Sequence, residues 1–153
     1  GQQTKEVEFM DTGIGVVSVG MNTIEISGAK RGRPVDTMIH SFENSGVRRL
    51  IDGIGKVTGQ PSGEIDEDLR SGRQTIPTNI LGTWADDIIA DISSAWIQHL
   101  PTLKRILLVG GGAQYVAGAM RQRLGDNIFV PSEPLMAVSR GLYKWSVVNG
   151  SKA

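Results

Sequence analysis

There is no cysteine among the 153 residues of the chain. Disulfides and thiolate metal sites are thereby excluded, and the composition suits a reducing compartment. Histidine is almost as scarce: His40 and His99 stand alone, with no second ligand at metal-binding spacing. His99, close to the end of a helical pattern, reads as a surface or capping residue. Charge of one sign is not in excess, with Lys+Arg and Asp+Glu at 16 each. No global field therefore draws the chain to nucleic acid or to an anionic membrane. No apolar run approaches the roughly 20 residues of a membrane-spanning helix, and no signal-peptide pattern opens the sequence. The expected setting is cytoplasmic.

What is present suits one α/β domain with a real core, at 39% hydrophobic and 21% charged residues. The organising stretch is Leu103–Gly125. Ile106 to Val109 is a short branched apolar run, which reads as a buried strand. Gly110, Gly111 and Gly112 follow, and then a helical pattern places Val116, Ala119, Met120 and Leu124 on one face before Gly125 stops it. A strand, a glycine turn and a helix bring bare main chain close to a ligand, and a helix start offers unpaired N–H groups to an anion. The competing reading is a tight turn with no ligand, for which one glycine would be enough.

Upstream, Lys5 to Met10 alternates weakly, and Asp11-Thr-Gly-Ile-Gly15 reads as a turn. Val16–Val19 and Thr23–Ile26 are β-rich runs around Gly20-Met-Asn22, which is a hairpin. Gly28–Arg33 is a second turn and Pro34–Phe42 supplies a third strand, completing an antiparallel meander. Ser45-Gly46 precedes a helix carrying Val47, Leu50, Ile51, Ile54 and Val57, ended by Gly59. Residues 60–79 form a polar excursion with a short helix over Glu64–Leu69.

Leu81–Leu100 is the strongest helical pattern, with Leu81, Trp84, Ala85, Ile88, Ile89, Ile92, Ala95 and Trp96 on one face and Pro101 closing it. Asp86 and Asp87 fall on the wet face near its N-terminus, where negative charge is favoured. Ile128–Val130 is a brief strand and Pro131–Pro134 a turn. Leu135, Val138, Leu142, Trp145 and Val148 then outline a final helix with one apolar face. Three antiparallel strands followed by alternating helices and strands describe a ribonuclease-H-like α/β domain. Right-handed crossovers place the later strands on one edge of the meander. The divisions expected are an entry segment over 1–15, the domain over 16–148 and a tail over 149–153.

Four segments give this order a family resemblance. Val17-Ser-Val-Gly-Met-Asn-Thr-Ile-Glu25 resembles the second phosphate motif of the actin/DnaK-type chaperone/sugar-kinase superfamily. Ser45-Gly46 resembles the glycine that starts the next helix. Leu107-Leu-Val-Gly-Gly-Gly-Ala113 resembles the adenosine motif, and Pro134-Leu-Met-Ala-Val-Ser-Arg-Gly-Leu-Tyr143 the terminal helix. Within the superfamily the chain looks most like the C-terminal nucleotide-binding subdomain of actin-like plasmid-segregation ATPases of the ParM/StbA type.

The resemblance implies an ATP-binding half of a filament-forming ATPase, with ATP and Mg²⁺ held between two subdomains. Gly20, Asn22 and Thr23 would approach the phosphates, and Gly110, Gly111, Gly112, Ala113 and Gln114 the adenosine. Gly46 would lie close to the cleft. Implied partners are further copies of the chain, a first subdomain and a DNA-bound adaptor protein.

The sequence departs from that pattern at two points. Ser18 stands where the family has an aspartate that positions Mg²⁺ or water, and a hydroxyl cannot replace a carboxylate there. Asp11 and Glu25 are the remaining weak catalytic candidates. An alternative register makes Asp11–Gly15 the phosphate motif, which restores an aspartate but leaves Ser18–Thr23 without a role. The second departure is length, since 153 residues cannot hold both halves of such a clamp. A non-catalytic interaction module with the same fold therefore stays open. A nuclease of ribonuclease-H type would need clustered carboxylates, and Asp11, Glu25, Asp36 and Asp91 do not obviously converge.

Overall fold

Alternation of apolar and small residues makes Gly13–Val19 a strand (β1) with Gly13, Gly15, Val17 and Val19 buried on one side. The computed structural model describes residues 12–150, so Asp11 and the weak alternation over Lys5–Met10 lie outside the described residues. Gly13–Gly15 is therefore extended and not a turn. It pairs antiparallel with Gly28–Lys30 of β2 (Thr23–Lys30). Glycine is needed at position 15, where a Cβ would come within 2.8 Å of the Trp96 ring.

β2 runs four residues further than its apolar core suggests, so the second turn shrinks to Arg31-Gly32. Both residues have positive φ, 52° and 70°, as a two-residue hairpin of the twist-matching kind requires. The third strand is broken. β3 (Arg33–Pro34) and β4 (His40–Glu43) both pair with β2, and a 3₁₀ turn over Asp36–Met38 bulges between them. That detour sends Met38 into the core, fully buried.

The later strands add to the other edge of β1. β5 (Leu103–Val109) and β6 (Ile128–Phe129) run parallel to it, giving the order β3-β2-β1-β5-β6. The edge is the one that right-handed crossovers require.

Between the strands lie α1 (Val47–Thr58), α2 (Ser62–Arg70), α3 (Thr78–Ala95) and α4 (Ala113–Leu124). Gly59 ends α1 in the left-handed conformation, with φ 73°. α3 begins right after Pro77 and stops at Ala95, shifted from the span its apolar pattern suggests. Pro77 pre-sets the helical entry, and Trp96 leaves the helix so that its indole N–H can reach the Met38 carbonyl at 2.9 Å. Leu100–Thr102 then forms a 3₁₀ turn.

One face of the sheet is the core. Val17, Val19, Ile24, Ile26, Ile106 and Leu108 pack there with Leu50, Ile54, Ile88, Ile92, Trp96, Val116 and Met120 of the helices. Trp84 joins them and donates its N–H to the Ser45 carbonyl at 2.8 Å. Asp86 and Asp87 are neither free nor catalytic in aspect. Arg123 of α4 holds the first at 2.7 Å and Arg49 of α1 the second at 2.6 Å, so the pair ties three helices together at the surface. Lys30 and Thr37 both contact the His99 ring at 3.1 Å, joining the meander to the turn after α3.

The final helix, α5 (Ala137–Gly150), follows a 3₁₀ turn at Pro134–Met136. Among the described residues, the apolar side chains of this turn and helix are not buried as a single core-facing stripe. Leu135, Val138 and Leu142 lie along one side and Met136, Tyr143 and Val147 along another, and all six are 48–71% exposed.

Candidate functional site

β1 and β5 end side by side, and their C-terminal ends carry the two glycine segments. After β1 the chain turns over Gly20-Met-Asn22, closed by Gly20 N–H donating to the Thr23 carbonyl at 3.0 Å. The carbonyls of this hairpin then cap α1. Gly46 N–H donates to Asn22 O at 3.3 Å, Val47 N–H to Gly20 O at 3.0 Å and Arg48 N–H to Met21 O at 2.8 Å. These are the orphan donors of a helix start, consumed by main chain. The N-terminus of α1 is therefore not an open anion site.

Gly46 serves contact, not ligand binding. A Cβ there would stand 2.6 Å from the Met21 carbonyl carbon, so only glycine lets helix and hairpin touch. Asn22 is likewise occupied, accepting at Oδ1 from Arg48 Nε at 2.8 Å on the exposed side of the hairpin.

At the end of β5 the three glycines have different duties. Gly110 sits at φ 90°, and a Cβ would meet the Val19 carbonyl oxygen at 2.5 Å; its N–H donates to the Pro134 carbonyl at 2.9 Å. Gly112 is buried, with no room for a Cβ between Val19 and Val47, and its N–H donates to Val19 O at 3.0 Å. Only Gly111 is exposed. Its amide donates to no backbone acceptor of the turn, and a Cβ there would meet nothing nearer than Leu135 at 3.8 Å. Two of the three glycines thus answer to packing, and one faces open space.

That open space is a cavity of about 580 Å³. Its floor is Ser18, Gly20, Gly110 and Gly111, and its walls are Met21, Val47, Leu69, Tyr115, Leu135 and Val138, with Gln114 at the start of α4. The volume is of the size that takes a nucleotide-sized ligand. Of the residues expected at a nucleotide, the cavity collects Gly20, Gly110, Gly111 and Gln114. Asn22, Thr23, Gly46, Gly112 and Ala113 do not line it.

The short helix expected over Glu64–Leu69 is α2 (Ser62–Arg70), but its place at the cavity was not foreseen. Asp66 and Arg70 are the charged residues of the lining, one helical turn apart and paired at 3.1 Å. The hydrogen bond to Asp66 raises the Arg70 guanidinium further above its ordinary pKa. Tyr115 helps hold α2 beside the cavity by donating its hydroxyl to Leu69 O at 3.2 Å. The signal in the sequence was the i, i+4 Asp–Arg spacing within the excursion after Gly59.

Glu25 stands directly opposite Ser18 in the β1–β2 register, on the other face of the sheet from the core. A second cavity of about 600 Å³ lies there, and Ser18 and Val138 line both cavities. Among the described residues no three of His, Asp and Glu converge into a group that could hold a metal ion. Glu25, Asp36 and Asp91 thus form no nuclease-like centre. Also among the described residues, no helix is long and apolar enough to cross a membrane. The strand pairing of Gly13–Gly15 weighs against the register that makes Asp11–Gly15 a phosphate loop, and leaves the Gly20 hairpin at the cavity.

No protein-family model and no curated relative match the sequence. Solved structures do. The apo ParM protein of pSK41 superposes with a TM-score of 0.73 at 17% identity, covering 94% of this chain and 43% of that one. A ParM from a 15-stranded filament of Clostridium botulinum gives 0.71 at 14%, covering 88% and 46%. An archaeal actin homologue in complex with ADP gives 0.65 at 19%, covering 88% and 49%. The chain spans less than half the length of each. The sheet order, the glycine corner and these superpositions together give the chain the actin-like fold of ParM-type plasmid-segregation proteins.

Proposed function

We propose that the chain is the ATP-binding half of an actin-like, filament-forming plasmid-segregation ATPase. The observation that carries the reading is the cavity at the paired ends of β1 and β5, where Gly20 and Gly111 present main chain instead of side chains. Backbone amides of a glycine turn suit phosphate oxygens and polar nucleoside atoms alike. One similar structure holds ADP, and another is a filament.

In this reading the chain binds and orients. Gly20 and Ser18 face the phosphate end, and Gly111 and Gln114 face the nucleoside. Mg²⁺, when it accompanies the nucleotide, supplies charge neutralisation of the phosphates. The other wall of the clamp is a first subdomain of comparable size, which would also cover the exposed apolar side chains of α5. Hydrolysis belongs to the closed clamp, since Ser18 gives no carboxylate to orient water. A DNA-bound adaptor remains the proposed partner of the filament.

A non-catalytic assembly module with the same fold is the second reading. Ser18 favours it, and so do Leu142 and Tyr143, which are 65% and 71% exposed on α5. Such a patch marks an association surface as readily in a binding module as in an enzyme.

Calorimetric titration of the purified chain with ATP and Mg²⁺, paired with sedimentation, separates the two. The ATPase-half reading expects saturable binding, weak because one side of the ligand stays wet. Self-association with no nucleotide binding at millimolar concentration favours the assembly module.

A further inference from the structure

Ser18, Glu25 and Ser41 stand in one row across β1, β2 and β4, since Glu25 is directly opposite Ser18 on one side and Ser41 on the other. Directly opposed side chains on antiparallel strands start about 5 Å apart at their Cβ atoms. Ser27, two residues along β2, lies on the same face of the sheet. These four residues line the second cavity, of about 600 Å³, with Val16, Ile39 and Val138 in its apolar wall. Among the described residues, neither the three hydroxyls nor the Glu25 carboxylate has a hydrogen-bond or ion-pair partner. His40, the other ionisable residue of the lining, donates its Nε2–H to the Thr37 carbonyl at 3.0 Å.

A carboxylate open to water needs no partner, but this one sits within an apolar surface suited to one. Ile39 and Val138 are 54% and 49% exposed, and Leu142, one turn along α5 from Val138, is 65% exposed. A protein that covers this surface also takes Glu25 out of water, and a buried carboxylate left unpaired is costly. The covering surface must therefore carry a cation at this point. Arginine fits the lining better than lysine. Its planar guanidinium has five N–H donors, enough for both carboxylate oxygens and for the serine hydroxyls around them, and its methylene stem can lie along Val16, Ile39 and Val138. The lysine ammonium has three donors and holds its hydration more tightly.

We propose that the second cavity is a docking site for an arginine side chain presented by an apolar segment of a protein partner. Glu25 takes the guanidinium in a two-pronged ion pair, and Ser18, Ser27 and Ser41 accept its outer N–H groups. The apolar residues on either side of that arginine lie against Ile39 and Val138. Glu25 lines this cavity and not the one that holds Gly110 and Gly111, so the proposal does not rest on the nucleotide reading.

The test is an NMR titration of the purified chain, without nucleotide, with the capped tripeptide acetyl-Leu-Arg-Leu-amide and with its citrulline counterpart, which keeps the shape and loses the charge. The arginine peptide should give saturable shifts at Val16, Ser18, Ser27, Ser41 and Val138, and should bind about five- to tenfold more tightly than the citrulline peptide, the worth of one charge-assisted contact. Glu25→Gln should abolish that ratio and leave the thermal melt unchanged, because the side chain is exposed and unpartnered. Ile39→Lys, which sets a cation of the chain's own at the rim, should also abolish it. An arginine peptide that leaves these five residues unshifted overturns the proposal. So does equal binding of the two peptides to the native chain, or a Glu25→Gln chain that keeps the native ratio. Each of these results leaves the nucleotide reading of the first cavity standing.

Discussion

The two faces of the sheet are built from the same strands to different ends. On one, Val17, Val19, Ile24 and Ile26 are at most 1% exposed under the helices. On the other, Val16, Ser18 and Ser27 stay partly exposed, and Glu25 is open to solvent. Alternation along a strand puts these sets one residue apart. The covered face is chosen for volume and fit, and carries the stability. The open face keeps hydroxyls and a carboxylate that would be liabilities in a core. The contrast means that large changes in stability and large changes in binding should come from different residues.

The greatest expected effect lies on the covered face. Trp96→Ala should cost about 3–5 kcal/mol in urea denaturation, from the cavity it leaves and from the Met38 carbonyl it strips of a donor. Val16→Ala, on the open face of the same strand pair, should cost no more than about 1 kcal/mol. Equal losses would erase the distinction between the faces.

The glycine corner repeats the comparison within three residues. Gly112→Val should cost about 1–3 kcal/mol, since the new side chain enters between Val19 and Val47. Gly111→Val should change stability by about 0.5 kcal/mol or less, yet weaken ATP binding in calorimetry. The reverse pattern would mean that Gly111 is the packed glycine and Gly112 the ligand-facing one.

The smallest effect on folding is expected on α5. Leu142→Lys should leave the denaturation midpoint within about 0.5 kcal/mol of the native value. It should reduce concentration-dependent association in sedimentation velocity. An unfolding penalty like that of Trp96→Ala would place Leu142 in the core after all.

Where each element was legible in the sequence follows from whether local signals decided it. Val16–Ile26 reads as a hairpin because period-two alternation flanks Gly20-Met-Asn22, and α1 reads as a helix ending at Gly59 because only a left-handed cap needs that glycine. The split of the third strand was illegible, since it depends on Met38 finding a distant hole beside Gly28. The boundary of α3 was set by the tertiary bond from Trp96 to the Met38 carbonyl, which no periodicity carries. For α5 the pattern told which side chains are apolar but not what covers them, and hydrophobic spacing alone cannot separate a core stripe from an interface.

The site was legible to a similar degree. Three consecutive glycines marked the corner where the cavity opens, but their duties depend on Val19 and Val47, which approach from other elements. Asp66 and Arg70 escaped notice because they reach the cavity from a polar helix that looked like an excursion.

The central claim is that a nucleotide lies against bare main chain where β1 and β5 end. Backbone amide NMR of the chain, titrated with ATP and Mg²⁺, tests it most directly. The account predicts saturable shifts concentrated at Gly20, Gly111 and Gln114, with a dissociation constant of about 0.1–1 mM, or about −5.5 to −4 kcal/mol. Saturable shifts confined to other residues, or none at several-fold higher nucleotide, would contradict it.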